Sequence, residues 1–482
     1  MQNVSCPSCG ANVQFKSHAS VMAVCEYCKS TIIKDADAVK DIGRMSDVLD
    51  DYSPIQIGTA GRFGSQGFTV IGRIQLRYDA GLWNEWYLLF DDGNPAWLSD
   101  ASGQYTLTFE KQNGALLPAF NDIHAGSLYS ILGQTWIASD VRTAQCTGGQ
   151  GELPFRVGQG WEAKVADLRN GRNFLTLDYA DADRPKVYAG QSVTLDQLQC
   201  QLLRDEDTIR NSSGKLKSKV ERLGCPSCGS NVNFVPGVTV HIVCPSCRAE
   251  IDTTTRTAAV MEASHRMTAN TTTVELGAKA TIGGSAYLVI GVMKRRDDEG
   301  SSWTEYLMHN PGKGFMWLVE TGEGWFRAKV LDEWPLWNRD ETAKLGNQTY
   351  RKEYEYDAAV TFAAGAFNWR VHAGDTVRVT EFSLGKNSLA AELTANELTW
   401  SQSAPVSADQ IRAWFGTEVK AEKLPPKTPV LSIAKYFMYG LLAFNFIPLM
   451  LEFGHTWKYV LFAAAAIYVP AWGISKMNDE RS

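Results

Sequence analysis

Two groups of four cysteines are the residues of this 482-residue chain whose spacing most clearly predicts chemistry. Each group is two Cys-x-x-Cys pairs separated by fifteen residues, and the groups start 219 residues apart: Cys6, Cys9, Cys25 and Cys28, then Cys225, Cys228, Cys244 and Cys247. Two sulfurs three positions apart can bind one ion from a tight turn, and the glycine that follows, Gly10 or Gly229, tolerates the backbone conformation of such a turn. The pattern predicts two zinc ribbons with one zinc ion each. Rubredoxin-like iron is the alternative, because four sulfurs in a tetrahedron suit either metal.

Both predicted metal sites are expected to be structural. A complete set of four cysteine ligands leaves no coordination position for water or substrate. The motif therefore predicts architecture and names no activity.

The remaining cysteines bear on the compartment. Eight of the ten cysteines belong to ligand pairs that need reduced thiolates, and the N-terminus shows no signal-peptide pattern. We therefore expect the ribbons to face the cytosol. Cys146 and Cys200 lie in no motif, and we expect both to be buried structural thiols.

Charge does not favour nucleic-acid binding. The chain is 44% apolar and 21% charged, as a globular protein is, with a net charge of −6. In the first ribbon Lys16, Lys29 and Lys34 outnumber Glu26, but zinc with four thiolates would cancel that excess, and the second ribbon is acidic. Neither ribbon offers the cationic surface that phosphates require.

The duplication extends well beyond the cysteines. Further pairs of motifs recur at an offset of 219 or 220: Ile57-Gly58 with Leu276-Gly277, Val70-Ile71-Gly72 with Val289-Ile290-Gly291, Trp83-Asn84-Glu85-Trp86-Tyr87 with Trp303-Thr304-Glu305-Tyr306-Leu307, and Ala96-Trp97-Leu98 with Met316-Trp317-Leu318. One unit of about 200 residues was copied and then diverged. Each copy reads as a ribbon, a polar connector and a larger domain.

The larger domains are predicted to be β. Segments such as 68–76 and 303–308 are rich in β-branched and aromatic residues and are bounded by Gly, Asp and Asn at turn spacing. The predicted fold class is mainly β, with tandem zinc ribbon plus antiparallel β-barrel or sandwich units and a C-terminal two-helix transmembrane hairpin. Other helical periodicity is confined to four short stretches, near 36–49, 195–203, 257–267 and 408–415.

In these motifs the chain resembles a bacterial family, domain of unknown function 4178. The family pattern is an early hydrophobic-Gly pair, a Val-x-Gly strand, a Trp-x-Glu-Tyr strand and a Trp-Leu pair, and it covers about 55 to 200 and 274 to 412. The first copy departs from it with Trp86 where the pattern prefers Tyr. The resemblance implies no established activity. It implies a setting, since family members accompany membrane-stress systems with phage-shock-protein-like remodelling partners.

Two apolar stretches near the C-terminus predict the hairpin. Stretch 431–451 has one charge, Lys435, and would reach roughly 31 Å as a helix, while stretch 457–474 has one charge, Lys458, at its edge. Lysines before the hairpin outnumber those in its loop, so the positive-inside rule predicts a bacterial inner-membrane protein, multi-pass with two spans and with its soluble domains in the cytoplasm. A pair of buried core helices is the alternative.

These observations predict a division into ten segments. They are ribbon 1 at 1–34, a connector at 35–54, β domain 1 at 55–205, a linker at 206–219, ribbon 2 at 220–253, a connector at 254–273, β domain 2 at 274–415, a linker at 416–430, the hairpin at 431–475 and a cytoplasmic tail at 476–482.

Glu85 and Glu305 are the candidate chemical groups outside the ribbons. They lie at matched places in aromatic strands, and the two-residue period of a strand puts each on the same face as Trp83 or Trp303. A carboxyl beside a large aromatic ring can have a raised pKa and act as a general acid. The alternative is an ion-paired or solvated strand residue.

The function predicted from these features is that of a membrane-anchored cytoplasmic interaction or scaffold protein. It would contact the lipid bilayer and recruit protein partners at the membrane, and its duplicated modules suit bivalent binding. An enzyme that uses Glu85 and Glu305 is the alternative, and a nucleic-acid-binding protein is the less favoured one. The sequence names no partner, oligomeric state or stimulus.

Overall fold

A computed structural model of the chain shows two β units followed by helices. It describes residues 2–17, 19–35, 38–44, 53–78, 81–101, 103–112, 117–157, 161–181, 185–205, 223–232, 234, 239–252, 259–262, 272–310, 313–416 and 430–480.

The described residues of the first unit form fifteen strands and one short 3-10 helix, Phe120–Asp122. The strands are β1 (Gln2–Ser5), β2 (Asn12–Phe15), β3 (Met22–Val24), β4 (Ser30–Asp35), β5 (Ala38–Arg44), β6 (Ala60–Phe63), β7 (Gln66–Tyr78), β8 (Gly81–Phe90), β9 (Pro95–Ala101), β10 (Gln104–Lys111), β11 (Leu128–Ile131), β12 (Gln134–Leu153), β13 (Glu162–Asn170), β14 (Asn173–Asp178) and β15 (Lys186–Val193).

The second unit repeats this order, and the helices follow it. Its strands are β16 (Leu223–Gly224), β17 (Asn231–Val232), β18 (His241–Val243), β19 (Glu250–Asp252), β20 (Ala259–Glu262), β21 (Lys279–Ile282), β22 (Ser285–Asp297), β23 (Ser302–Asn310), β24 (Gly314–Thr321), β25 (Gly324–Val330), β26 (Thr342–Leu345), β27 (Gln348–Phe367), β28 (Thr376–Leu384), β29 (Asn387–Leu393) and β30 (Leu398–Val406). The helices are α1 (Ala408–Phe415), α2 (Val430–Phe444), α3 (Phe446–Leu451) and α4 (Phe453–Glu480).

Eight antiparallel strands close into a barrel in each unit. In the first unit the order is β7-β8-β9-β10-β15-β14-β13-β12, and β12 pairs back with β7. In the second unit the order is β22-β23-β24-β25-β30-β29-β28-β27, and β27 pairs back with β22. The predicted mainly β class is confirmed, in its barrel form.

Glycines let the closing strands approach each other. Gly72 on β7 pairs with Gly151 on β12, and Gly291 pairs with Gly365 at the same place in the second barrel. Gly151 has a φ of +66°, and a Cβ on Gly72 would lie 1.8 Å from the carbonyl oxygen of Glu152. Any larger residue would therefore push the two strands apart.

Each ribbon is continuous with its barrel. Strand β3 pairs with the end of β12, and β18 pairs with the end of β27, so the ribbon strands extend the barrel sheet. In the first unit the carboxylate of Glu152 on β12 also accepts hydrogen bonds from the backbone N–H groups of Lys16 and Ser17 and from the hydroxyl of Ser20, at 2.7 to 3.0 Å. The ribbon is thereby held in a fixed orientation on the barrel.

The two units contact each other. Arg142 Nη2 of the first unit lies 3.2 Å from Glu397 Oε2 of the second. Ile137 of the first unit packs in an apolar cluster with Trp334 and other residues of the second. The duplicated halves thus share buried surface.

Predicted helices outside the C-terminal region were right in one case of four. The described parts of 36–49 and 257–267 are strands β5 and β20, which pair with the ribbon strands β4 and β19. Stretch 195–203 is not helical, since 195–199 are turn residues and Gln201 forms an isolated β-bridge with Ala60. Stretch 408–415 is helix α1, confirmed, and it begins with a capping box between Ser407 and Gln410.

The predicted transmembrane hairpin and two-span inner-membrane location are wrong. Stretch 431–451 is divided at Asn445 into α2 and α3, and the 15 residues of α2 extend about 22 Å, which is short of the roughly 30 Å hydrocarbon core. Helix α4 has 28 residues, but it includes Lys458 and Pro470 and ends in charged sequence. Within the described residues no helix combines the length and the apolar character that a membrane span needs.

The C-terminal helices are not buried core helices either. Helix α2 packs against α4, but many of their large apolar side chains are exposed, among them Tyr436, Phe437, Tyr439, Phe444, Tyr459, Phe462 and Trp472.

Candidate functional site

The first group of four cysteines converges in space as the sequence predicts. Cys6 and Cys9 lie in the turn between β1 and β2, and Cys25 and Cys28 lie in the turn between β3 and β4. In each turn the N–H four residues after the first cysteine donates to that cysteine's carbonyl, which fixes the knuckle. The sulfurs of Cys6 and Cys28 are 3.6 Å apart, and those of Cys9 and Cys25 are 3.7 Å apart.

The second group has the same geometry. The sulfurs of Cys225 and Cys247 are 3.7 Å apart, those of Cys228 and Cys244 are 3.8 Å apart, and all four ligand atoms in each group lie within 4.8 Å of one another. A tetrahedron with metal–sulfur bonds of about 2.3 Å has edges of about 3.8 Å. Each group could therefore hold one metal ion with four sulfur ligands.

Neighbouring serines favour the thiolate form of one cysteine in each group. Hydrogen bonds from the hydroxyl and backbone N–H of Ser30 lower the pKa of Cys28 to about 6. The hydroxyl and N–H of Ser230 lower the pKa of Cys228 to about 6 in the same way. A thiolate is the form of cysteine that binds metal.

Cys146 and Cys200 are half-buried and belong to neither group. Burial raises the pKa of each thiol to about 11. Both are therefore protonated and unreactive near neutral pH, in keeping with the predicted structural role.

Glu85 faces the interior of the first barrel. The N–H of Trp83 donates to its Oε1 at 2.8 Å, and the hydroxyl of Ser99 on β9 lies 2.7 Å from its Oε2. Burial raises the pKa of Glu85 to about 7, although Ser99 and Trp83 oppose this shift. Glu85 as a whole residue is half-buried. Such a group could donate or accept a proton near neutral pH.

Glu305 occupies the matching place in the second barrel with a different partner. The N–H of Trp303 donates to it at 2.7 Å, but its Oε1 also lies 3.5 Å from Nε of Arg295. Leu76 pairs with Trp83 in the first barrel, and Arg295 pairs with Trp303 in the second. The first barrel therefore has a leucine at the position of Arg295. Burial raises the pKa of Glu305, and Arg295 opposes that shift. Glu305 is thus an ion-paired strand residue, and Glu85 is not paired in this way.

Sequence reasoning missed the other charged residues inside the barrels. The first barrel also encloses Asp167, whose carboxylate accepts from Thr176, and Asp178. At the same register positions the second barrel has Glu381 and Glu392. These acidic residues alternate with apolar ones along their strands, and this pattern could have predicted that they share a face with few polar groups. Only the pairing of the strands, however, places them opposite Glu85 and Glu305.

Comparison with known proteins identifies the family of the two barrel domains. The model of the family described as Domain of unknown function (DUF4178) matches residues 56–195 and 275–408, which include the two sets of barrel strands. No curated protein and no solved structure matches the chain.

Proposed function

The chain belongs to the Domain of unknown function (DUF4178) family, with one family domain in each half, and from this premise we propose that it is an interaction protein. A structural zinc ion would stabilise each of its two units. The family description assigns no activity, so support comes from the residues themselves. Duplicated modules on one chain suit the recruitment of more than one partner site.

Zinc fits the four-sulfur groups. The spacing of the sulfurs matches the edges of a zinc–thiolate tetrahedron, and all four donors in each group are cysteines. With no position left for water, such an ion stabilises the ribbon and performs no reaction. Iron is the competing occupant, because it accepts the same ligands.

The observation that carries the interaction proposal is the apolar surface of helices α2 and α4. Phe437 is 66% exposed, Tyr439 is 65% exposed and Phe462 is 72% exposed. Exposed apolar side chains gathered on one pair of helices are typical of a surface that binds other proteins. We propose that these helices bind an apolar surface of a partner protein.

Site-specific photo-crosslinking tests this proposal. A photoreactive amino acid replaces Phe437 or Phe462 in the full chain, and control positions are Tyr27 and Leu202, which are 79% and 70% exposed on the first unit. We expect discrete protein adducts from the two helix positions and none from the controls. The same adducts from all four positions, or none from any, would contradict the proposal.

The raised pKa of Glu85 favours a second candidate, an enzyme that uses this carboxyl as a general acid. Glu85→Gln keeps the hydrogen-bond acceptor and removes the transferable proton. A Glu85→Gln, Glu305→Gln chain that folds, keeps its metal and recovers the same crosslinked partners should support cellular function as the wild type does. If it fails to complement a deletion strain, the enzyme is the better account.

A further inference from the structure

The interior of the second barrel is hollow. A cavity of about 2310 Å³ extends from the groove between the units into this barrel, where alternate strand residues line it, including Trp303 and Glu305 on β23 and Ser401 and Ser403 on β30. It exceeds the 300 to 1,000 Å³ of an ordinary ligand site, because it continues into the groove between the units, where Arg142 of the first unit lines it. A ligand can therefore enter the barrel from this groove.

Two substitutions between the copies leave more room inside the second barrel than inside the first. Tyr188 of the first barrel is buried near Glu85 and occupies the register position that Ser401 has in the second. Next to these residues, Thr176 of the first barrel corresponds to Ala390 of the second. The interior residues Trp83 and Glu85 of the first barrel do not line this cavity. At the position of Tyr188 and Ser401, a phenol ring lies in the first barrel where the second has a hydroxymethyl group.

Acidic groups outnumber basic ones where the cavity enters the second barrel. Three carboxylates, those of Glu305, Glu381 and Glu392, face one guanidinium, that of Arg295. Nη1 of Arg295 lies 3.0 Å from Glu392 Oε2, and its Nε lies 3.5 Å from Glu305 Oε1, so the guanidinium is already paired with two carboxylates. Glu381 is left with a neutral partner, the hydroxyl of Tyr356 at 2.6 Å. Burial raises the pKa of Glu381, and a cationic ligand beside it would stabilise its ionised form.

Aromatic rings line the same space. Trp303, Trp317 and Tyr356 border the cavity, and ring faces attract organic cations. His309 also borders it, but burial lowers its pKa to about 4, so it adds no positive charge near neutral pH. The cavity wall therefore combines apolar and aromatic surface with more acidic than basic groups.

We propose that the interior of the second barrel binds a small organic cation, a primary ammonium or guanidinium compound with an apolar body. The charged group would lie beside Glu381 and Glu392, and the apolar body would contact Trp303 and Trp317. The site is formed by residues other than those of helices α2 and α4, so it does not depend on the partner proteins proposed above.

Three probes of one size and different charge test the proposal on the full, metal-loaded chain. Calorimetry measures the binding of n-hexylamine, n-hexanol and hexanoate. We expect hexylamine to bind about tenfold or more tightly than the other two, because a charged hydrogen bond to a carboxylate is worth about 1.5 to 3 kcal/mol. Equal affinities, or no heat with hexylamine at about 10 mM and hence a Kd above the millimolar range, would overturn the proposal.

Variants locate the site. Ser401→Tyr and Ala390→Leu should each occupy the space beside Glu381, with which Ala390 pairs, and abolish hexylamine binding while the near-UV circular dichroism and metal content stay unchanged. Glu392→Gln should weaken binding about tenfold, since it removes an acceptor and leaves Arg295 less neutralised. The matched control is Asp178→Asn in the first barrel, which should bind hexylamine as the wild type does. Binding that survives Ser401→Tyr and Ala390→Leu, or that falls equally in Asp178→Asn, would show that hexylamine does not bind in this barrel.

Discussion

At the scale of single residues, the ten cysteines divide by what surrounds their sulfur atoms. Cys228 has three other sulfurs within 4.8 Å, whereas Cys146 has a backbone carbonyl at 3.4 Å as its hydrogen-bond partner. The grouping of four cysteines was predictable, because a Cys-x-x-Cys pair closes locally and two such pairs at ribbon spacing are expected to lie together. The different partners of Glu85 and Glu305 were not, because Arg295 reaches Glu305 from the neighbouring strand.

Cys228→Ser should release one metal ion per chain and unfold the second ribbon. Structural zinc contributes on the order of 10 kcal/mol to the folding of such units. Elemental analysis should find half the metal of the wild type, and hydrogen exchange should show lost protection in the described ribbon strands. Cys146→Ser is the control and should keep all the metal. Full metal content in Cys228→Ser would contradict the assignment of ligands.

The raised pKa of Glu85 should make folding depend on pH. Its carboxyl has a pKa of about 7 in the folded chain against 4.5 ordinarily. Between these values the unfolded chain loses the proton and the folded chain keeps it. Stability from this group is therefore lost as pH rises from about 4.5 to about 7 and is not regained above that.

Glu85→Gln should remove this dependence. Relative to the wild type, the variant should gain about 2 kcal/mol of unfolding free energy between about pH 5 and pH 8, measured by denaturant titration at both values. Glu162→Gln, at an exposed residue of β13, should show no such gain. A pH-independent difference between Glu85→Gln and the wild type would mean that the carboxyl is already ionised at pH 5.

At the scale of elements, β-strands were predictable from composition and the connectors were not. Residues 38–44 and 259–262 have helical periodicity but lie beside ribbon strands with unpaired edges, and pairing with those edges overrides a weak local preference. The sequence did not distinguish a closed barrel from a sandwich. Closure depends on long strands that pair with two partners in succession, as the 20-residue β12 does.

Gly151→Ala should disrupt the closure of the first barrel. A Cβ there would lie 2.2 Å from the carbonyl oxygen of Ile71, and the φ of +66° adds backbone strain. We expect a loss of about 3 kcal/mol or more in unfolding free energy. Gly133→Ala is the matched control, with a φ of +74° and nothing within 4 Å of the added carbon, and should cost only about 1 kcal/mol. Equal losses in the two variants would show that close approach of β7 and β12 is unimportant.

At the scale of the whole molecule, the duplication and its limits were predictable and the contact between copies was not. Repeated motifs at a constant offset predict two units, and the family matches confirm them at 56–195 and 275–408. The C-terminal stretches were predicted to span a membrane because they are apolar. The division at Asn445 leaves the helix before it too short, and hydropathy alone does not predict that division.

Trp334→Ala should weaken the contact between the units. The ring is buried among Ile137 of the first unit and residues of the second, and the guanidinium of Arg169 lies 5.1 Å from it. The variant should lose about 3 to 5 kcal/mol and unfold in two separate steps instead of one. Trp457→Ala, at a residue 39% exposed on α4, should leave the transition single. A single unshifted transition in Trp334→Ala would mean that the copies fold independently.

X-ray absorption at the zinc edge of the intact chain tests the central claim most directly, namely that two closed four-sulfur metal centres stabilise the chain and perform no reaction themselves. With two zinc ions per chain confirmed by elemental analysis, the first shell should contain four sulfurs at about 2.3 Å and no lighter ligand. Less than one metal per chain, or a shell that includes oxygen or nitrogen, would contradict the claim, because a position open to water is what a catalytic zinc requires.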